Sequence, residues 1–204
     1  MTKLQDFKKI EDLYKIRFKQ GLRDYKAVGW GSKESQWLRF QLLCEIGIIP
    51  SYSILDVGCG LGDLLEYLEE NKITPEVYVG IDLTQEFIEN CKEKYNSLEQ
   101  VIFYKKNLLE ADYDQEFDYV FMSGAFNLKI TNNWKIVEVA LKKMFKACKK
   151  GVACNFLSSY VDFSQDKDFH YSPEKMFSIA RKITKHVILR HDYPLYEFTL
   201  YLYK

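Results

Sequence analysis

The sequence lacks a net charge, because 29 lysines and arginines balance 29 aspartates and glutamates over 204 residues. Without an excess of positive charge there is no long-range field to attract a polyanion, so a nucleic-acid substrate is disfavoured, although a local basic patch would still be compatible with it. The five cysteines include no CxxC pair and no zinc-like spacing, so we predict reduced core thiols and no metal site.

Long apolar runs are also missing. The first ten residues contain several lysines but no apolar stretch of signal-peptide length, and no segment approaches the length of a membrane span. We therefore predict a cytoplasmic protein that does not interact with a membrane. The chain is long enough for a single domain with a substantial core, and it shows no internal repeat, low-complexity stretch or linker.

The most informative segment that is present is Ser53–Asp63, which reads SILDVGCGLGD. Its apolar first half predicts a buried parallel strand, and Asp56 lies near the carboxyl end of that strand. Gly58, Gly60 and Gly62 then predict a tight turn into a helix, since glycine adopts positive φ and lets a ligand approach the backbone. The segment is typical of a nucleotide-cofactor loop, although an isolated glycine triplet also fits an ordinary strand-to-helix turn.

The spacing of the glycines decides between cofactors. A dinucleotide loop requires GxGxxG, but the third glycine here falls one position early and Asp63 takes its place. A pyrophosphate would then meet a carboxylate at the start of the helix, where Asp56 and Asp63 cancel much of the attraction that a helix N-terminus exerts on anions. A cationic cofactor fits better, and a nicotinamide-dependent oxidoreductase is the weaker alternative.

Three further strands end in polar segments that suit the same site. Glu76–Asp82 is an apolar run that ends in an acid about 20 residues past the glycine turn, where an acid reaches ribose hydroxyls in nucleotide folds. Val101–Tyr104 reads as a third strand and is followed by Asn107 and Leu108. Phe117–Phe126 contains the fourth strand and its end.

These four segments, in this order, resemble the class I S-adenosylmethionine-dependent methyltransferases. The resemblance implies an α/β fold with a doubly wound, seven-stranded, mostly parallel sheet and an antiparallel last strand, which is a Rossmann-like methyltransferase fold. It also implies S-adenosyl-L-methionine as methyl donor and S-adenosyl-L-homocysteine as product. The cofactor-binding residues that it implies in the core are Asp56, Gly58, Cys59, Gly60, Asp82, Leu83, Asn107, Leu108 and Ser123.

The family pattern gives the residues of the first two strand ends distinct roles. By that resemblance, Gly58 and Gly60 would line the methionine moiety, and Asp56 would stand near its ammonium. Asp82 would accept hydrogen bonds from both ribose hydroxyls, with Leu83 packing on adenine.

The remaining members of the set carry weaker signals. The side chain of Asn107 would take the adenine amino group and the backbone N–H of Leu108 would meet the ring, although Asn107 is also typical of an ordinary turn. Ser123 to Asn127 would border both cofactor and acceptor. Cys59 is interpreted as a small residue that fits the glycine turn rather than as a nucleophile.

The first 50 residues precede these motifs and predict a helical lid, within one methyltransferase domain whose core spans residues 51–204. Apolar spacing predicts one amphipathic helix around Tyr14 and a second over Ser32–Ile46. The loop between them contains Trp30, which we expect to fold over the cofactor. Arg39 or Gln36 would then reach the cofactor carboxylate, since a guanidinium pairs with a carboxylate in two parallel hydrogen bonds; a surface arginine on a packed helix is the alternative.

Helices and strands alternate through the rest of the chain, which favours right-handed crossovers. A helix is predicted after Thr84 as its cap, another runs up to Gly151 and is followed by a fifth strand, and a third begins at Ser172. His186–Arg190 and Glu197–Tyr203 predict two closing strands.

The acceptor side has fewer signals. His170, in the polar loop after the fifth strand, is our candidate general base for a hydroxyl acceptor because its unperturbed pKa lies near neutrality; a solvated loop histidine is the alternative. Enzymes of this fold that methylate exocyclic amino groups of bases or glutamine amides resemble one another in an Asn/Asp-Pro-Pro-aromatic signature, and residues 123–126 read Ser-Gly-Ala-Phe instead. We therefore predict O- or N-methylation of a small molecule, with a non-catalytic cofactor-binding protein as the alternative.

Overall fold

The computed structural model describes residues 3–22, 24–47, 51–110 and 116–204, with side chains from residue 6 onward. The helices are α1 (Lys3–Lys19), α2 (Lys33–Cys44), α3 (Asp63–Glu70), α4 (Gln85–Lys94), α5 (Asn133–Lys146) and α6 (Pro173–Arg181). The strands are β1 (Ser53–Val57), β2 (Val77–Asp82), β3 (Val101–Lys105), β4 (Phe117–Ser123), β5 (Cys148–Leu157), β6 (His186–Arg190) and β7 (Glu197–Tyr203).

The seven strands form one sheet in the order β3-β2-β1-β4-β5-β7-β6. β1, β2, β3, β4 and β5 pair in parallel, whereas β7 lies antiparallel between β5 and β6. The predicted mostly parallel sheet with an antiparallel last strand is therefore confirmed.

Helices cover the sheet on both faces, which explains why all five residues of β1 are buried. Because side chains alternate along a strand, Leu55 belongs to one hydrophobic cluster, which includes Leu141 of α5 and Met176 of α6, whereas Ile54 belongs to a second cluster with Leu68 of α3. Residues of α2 and α4 belong to that second cluster as well. The sheet is doubly wound, and each fully buried leucine or isoleucine contributes about 1.5–3 kcal/mol to stability.

The boundary between α5 and β5 differs from the prediction. We expected the helix to continue to Gly151, but α5 ends at Lys146 and β5 begins at Cys148. The reason is long-range pairing, because Cys148 lies opposite Phe117 at the start of β4. Gly151 lies inside β5, where an added Cβ would come within 2.9 Å of the carbonyl oxygen of Leu202.

Two predicted helix starts have different outcomes. Ser172 caps α6 as expected, since its hydroxyl accepts a hydrogen bond from the backbone N–H of Lys175 at 3.1 Å. Thr84 occupies the N-cap position of α4, but its side chain makes no capping bond. Its backbone N–H instead donates to Asp82 at 2.8 Å, so the turn is stabilised by the carboxylate before it.

Among the described residues, no helix combines the length and the apolar character needed to cross a membrane.

Candidate active site

A cavity of about 420 Å³ lies at the carboxyl ends of β1, β2 and β4. β1 and β4 are neighbours in the sheet but not in the chain, so the winding direction reverses there, and open α/β sheets bind ligands at such a point. The cavity lining contains every residue that the sequence predicted to bind the cofactor: Trp30, Arg39, Asp56, Gly58, Cys59, Gly60, Asp82, Leu83, Asn107, Leu108 and Ser123.

The glycine loop after β1 has the backbone geometry that the sequence predicted. Gly58 and Gly60 have φ angles of 75° and 54°, which residues with a Cβ rarely adopt. The space beside their α-carbons is filled by the chain itself, because an added Cβ would lie 2.7 Å from Ala125 Cβ at Gly58 and 2.7 Å from Val28 Cγ1 at Gly60. The glycines are thus required for internal packing as well as for the turn.

Asp82 connects the loops that follow β1 and β2. Its Oδ2 accepts a hydrogen bond from the backbone N–H of Gly60 at 3.1 Å, and its Oδ1 accepts one from Thr84 at 2.8 Å. Burial raises the pKa of this carboxyl, while these backbone donors oppose the rise. Each carboxylate oxygen keeps a further lone pair, so Asp82 can still accept two hydrogen bonds from a vicinal diol.

Asp56 lies deeper in the wall, with 3% of its surface exposed. Burial raises its pKa to about 7; the hydroxyl of Tyr78, which donates to Oδ2 at 2.6 Å, opposes that rise, whereas the charges of Asp82 and Asp63 add to it. Three acids therefore surround the loop, and a positively charged ligand would relieve their mutual repulsion.

Trp30, Arg39 and Glu197 form a stacked, ion-paired group in the cavity wall. The guanidinium of Arg39 lies 4.1 Å from the Trp30 ring centroid. Its Nε and Nη2 donate to the two oxygens of Glu197 at 2.8 and 2.5 Å, and its Nη1 donates to the carbonyl of Ser35 at 2.6 Å. Arg39 is thus a buried residue with a carboxylate partner in the chain, and the alternative of a surface arginine is wrong.

Gln36 also lines the cavity but points to the first turn of α3. Its Nε2 donates to Oδ2 of Asp63 at 2.7 Å. Asp63 occupies the first helical position, where its negative charge is stabilised by the helix N-terminus. This pair connects α2 to the glycine loop.

The third and fourth strand ends complete the wall. The Oδ1 of Asn107 accepts a hydrogen bond from the backbone N–H of Leu109 at 3.0 Å, so the turn role that the sequence allowed is present. Leu108 is buried and Ser123 half-buried. At the end of β4, an added Cβ on Gly124 would come within 2.4 Å of the Trp30 ring.

The part of the wall formed by α1 and residues 28–31, called the cover here, lies over the glycine loop. The α1 residues that line the cavity are Phe7, Ile10, Tyr14 and Arg17. α1 is connected to the core by ion pairs between Glu11 and Lys105 at 2.6 Å and between Lys15 and Glu86 at 2.8 Å. The N-terminal segment therefore covers part of the cavity at the sheet edge.

Comparison with known proteins agrees with this geometry. Residues 54–151 match a family model described as a methyltransferase domain. The Mycobacterium tuberculosis protein named "Putative methyltransferase Rv1506c" is 33% identical over 160 residues, which cover 75% of this chain and 93% of that protein. The chain belongs to the class I S-adenosylmethionine-dependent methyltransferases. S-adenosylmethionine is the methyl donor of that family.

Two further comparisons support the family and the fold. A demethylmenaquinone methyltransferase from Staphylococcus aureus is 31% identical over 114 residues, which cover 55% of this methyltransferase and 45% of the relative. The crystal structure of magnesium protoporphyrin IX methyltransferase from Synechocystis PCC 6803 with bound S-adenosylhomocysteine has a TM-score of 0.70 at 12% identity, covering 98% of this chain and 99% of that one.

His170 is the one predicted site residue that the structure does not place in the cavity wall. Four described residues of its loop contribute to the lining, namely Phe163, Gln165, Lys167 and Asp168, but His170 does not. A role as general base for the methyltransferase stays a prediction. Among the described residues, no group of three or more His, Cys, Asp and Glu side chains could hold a metal ion.

Sequence reasoning missed several contributors to the wall, among them Glu197 and Val28. Glu197 was predicted only as the start of a strand, and Val28 lies in the loop in which only Trp30 was given a role. An acid beginning an otherwise apolar strand was the available signal for Glu197, because such a side chain needs a buried cationic partner. Nothing local signalled that Val28 packs on Gly60.

Proposed function

We propose that this methyltransferase transfers the methyl group of S-adenosylmethionine to an oxygen or nitrogen atom of a small molecule. The observation that carries the proposal is that the cover narrows the cavity, because α1 and Trp30 lie over the edge at which the reaction would occur. The Staphylococcus aureus and Synechocystis relatives are named for small-molecule acceptors. An Arabidopsis thaliana relative named for the mRNA cap is 32% identical over 92 residues. That relative favours RNA as the competing class of acceptor.

The cofactor assignment follows from the charges and hydrogen-bonding groups in the wall. We assign the ribose hydroxyls to Asp82 and the amino group to Asp56. The adenine would lie between Leu83 and Leu108, with Asn107 at its edge. These residues line one continuous cavity, which supports their acting on one ligand.

Arg39 retains a role toward the cofactor carboxylate in this proposal. Its bonds to Glu197 and Ser35 use three of the five guanidinium N–H groups. The remaining two, one on each terminal nitrogen, can donate to a second carboxylate. Glu197 would then hold the guanidinium plane in position while Trp30 stacks on it.

The chemistry requires little from the protein beyond placement. When bound, the cofactor supplies a methyl group on a positively charged sulfur, which a nucleophile displaces in line. The chain would hold the cofactor through Asp56 and Asp82, place the acceptor against the end of β4, and exclude water beneath α1. We propose that residues 1–50 act as a lid on the core of residues 51–204 within one domain.

We expect the affinity for S-adenosylhomocysteine to increase with pH through the range around neutrality. Only the ionised form of Asp56 attracts the ammonium group, and its pKa is about 7, so binding at pH 6 should be about tenfold weaker than at pH 8. Isothermal titration calorimetry across this range measures the effect, and Asp56→Asn should remove it. A flat profile for the wild type would exclude contact between Asp56 and the ammonium.

The same raised pKa has the opposite effect on the unliganded protein. The folded state binds the Asp56 proton more tightly than the unfolded chain, in which the pKa of aspartate is about 3.9. The contribution of this group to the free energy of unfolding therefore falls as pH rises from about 4 to about 7, and it is constant above that.

Transfer of radiolabelled methyl groups tests the class of acceptor. The protein is incubated with tritiated S-adenosylmethionine and a cell extract that has been separated into small-molecule, RNA and protein fractions. We expect label in the small-molecule fraction, and none with the Asp82→Asn variant. Label that enters only RNA or protein would contradict the proposal.

A further inference from the structure

The end of the molecule opposite the cavity, called the basal face here, is formed by the starts of the parallel strands and the last turns of the helices that lead to them. The backbone N–H of Glu76 donates to the carbonyl of Tyr52 at 3.1 Å, which joins the segments that lead into β1 and β2. The backbone N–H of Lys204 donates to the carbonyl of Lys150 at 3.0 Å, so β7 ends beside the start of β5. Because β6 is antiparallel to β7, it also begins at this end.

The two signs of charge are separated on the basal face. The part below β2 and β3, called the acidic half, has exposed carboxylates at the end of α3 and ahead of the two strands: Glu69, Glu70, Glu76 and Glu99. Lys72 is an exposed cation among them, and Glu116, ahead of β4, lies between the halves. The part below β5, β7 and β6, called the basic half, has exposed amines at the ends of α5, α6 and β7, at the start of β5 and ahead of β6: Lys146, Lys149, Lys150, Lys182, Lys185 and Lys204.

Most of these charges have no ion-pair partner within the described chain. None of the ion pairs between described residues includes Glu76, Glu99, Lys149 or Lys185. Neighbouring exposed charges of the same sign repel one another, and a surface of opposite sign relieves that repulsion. Each half of the basal face is therefore suited to a partner that carries the opposite charge.

The arrangement of the two halves favours a second copy of the chain over a polyanion. Strands lie about 4.8 Å apart, so the centres of the halves are only about 20 Å apart, and RNA bound to the basic half would meet the carboxylates beside it. A second copy, turned by 180°, instead places its basic half on the acidic half of the first. The same rotation brings the other two halves together, which is the arrangement of an isologous dimer.

The basal face is also large enough for a stable interface. Seven strands about 4.8 Å apart, with helices about 10 Å away on each side of the sheet, give this end an area of roughly 700–800 Å². Interfaces of standard size bury about 800 Å² on each partner.

We propose that the basal face is a dimer interface between two copies of this chain. A two-fold axis passes near β1 and β4, at the centre of the sheet, and the acidic half of each copy pairs with the basic half of the other. The cavities lie at the far ends of the two copies and face away from the interface. The dimer is thus independent of the proposed function.

Sedimentation equilibrium over a concentration series tests the interface. We expect the wild type to dimerise at about 0.05 M salt. Its dissociation constant should be at least about tenfold larger at about 0.5 M salt, because the screening length falls about threefold over this range.

Two charge-reversal variants test the pairing of the halves. Glu76→Lys/Glu99→Lys reverses charges of the acidic half, and Lys149→Glu/Lys185→Glu reverses charges of the basic half. Each variant alone should self-associate at least about 100-fold more weakly than the wild type, since charges of the same sign then meet in both contacts. An equimolar mixture of the two should recover the dimer, because the reversed halves attract each other and the unchanged halves still pair.

A matched control separates the interface from the net charge of the protein. Lys129→Glu/Lys135→Glu changes the net charge as much as Lys149→Glu/Lys185→Glu does, but both lysines are exposed near the start of α5, at the cavity end. This control should dimerise like the wild type. Circular dichroism checks that every variant is folded, and sedimentation needs no cofactor, so failure of the interface is distinguishable from failure of the proposed function.

Several outcomes would overturn the interface. They are a wild type that stays monomeric up to about 200 µM, a dimer that does not respond to salt, a control that dissociates as the reversals do, and a mixture that fails to recover. Binding of an RNA oligonucleotide to a monomeric wild type, abolished by Lys149→Glu/Lys185→Glu, would assign the basic half to a polyanion instead.

Discussion

Replacing Asp82 by Asn is expected to weaken the binding of S-adenosylhomocysteine by at least about 100-fold, since hydrogen bonds to a charged group contribute about 1.5–3 kcal/mol each. An amide offers a single accepting oxygen, for which a backbone donor would compete, so it would not receive both ribose hydroxyls as we propose for the carboxylate. Its NH2 group would also face the backbone N–H of Gly60 or Thr84, each of which now donates to the carboxylate. Isothermal titration calorimetry measures the loss.

Asp118→Asn is the control for this experiment. Asp118 lies near the start of β4, where its carboxylate accepts from the backbone N–H of Ser53 at 3.0 Å and from its hydroxyl at 2.8 Å. Because this is the opposite edge of the sheet, the substitution should lower the melting temperature and leave cofactor affinity unchanged. If Asp82→Asn kept wild-type affinity, Asp82 would not be the ribose ligand.

Among the substitutions considered, one that breaks the ion pair between Arg39 and Glu197 should lower the free energy of unfolding the most. The two side chains are 9% and 2% exposed, and removing one partner of a buried pair costs about 3–5 kcal/mol because the other charge stays buried and unpaired. We therefore expect Arg39→Met to lower the free energy of unfolding by that amount in urea denaturation. The double variant Arg39→Met/Glu197→Leu should recover most of the loss.

The double variant also separates folding from cofactor binding. If the free N–H groups of Arg39 hold the cofactor carboxylate, affinity for S-adenosylhomocysteine should stay low even where stability has recovered. Recovery of both would show that Arg39 acts only in the fold. The exposed pair Lys142–Glu138, at 2.7 Å on the surface of α5, is the comparison, and its loss should cost only a small fraction as much.

The strand-end motifs were predictable because each lies within a few residues of its own strand. In a parallel sheet the carboxyl ends of the strands meet at one edge, so an acid or glycine that follows an apolar run can be placed without knowing any long-range contact. This argument places five residues correctly in the cavity lining: Asp56, Gly58, Asp82, Leu108 and Ser123.

The remaining contributors depend on contacts between distant parts of the chain. Glu197 is 158 positions from Arg39, and it lies at the first residue of β7 rather than the last because that strand runs in reverse. The packing of Val28 on Gly60 and the early start of β5 likewise depend on a partner from another element. The hydrophobic periodicity of one segment does not identify its partner in a distant segment. That partner is decided by how well the two elements pack against each other.

The reversed direction of β7 has a practical consequence for handling the enzyme. Tyr203 lies opposite Gly151, and the backbone N–H of Lys204 donates to the carbonyl of Lys150 at 3.0 Å, so this strand finishes at the sheet edge remote from the cavity. A tether attached behind Lys204 would leave the cavity mouth facing solution. Immobilisation on a biosensor surface through that point should therefore leave diffusion of small ligands into the pocket unobstructed.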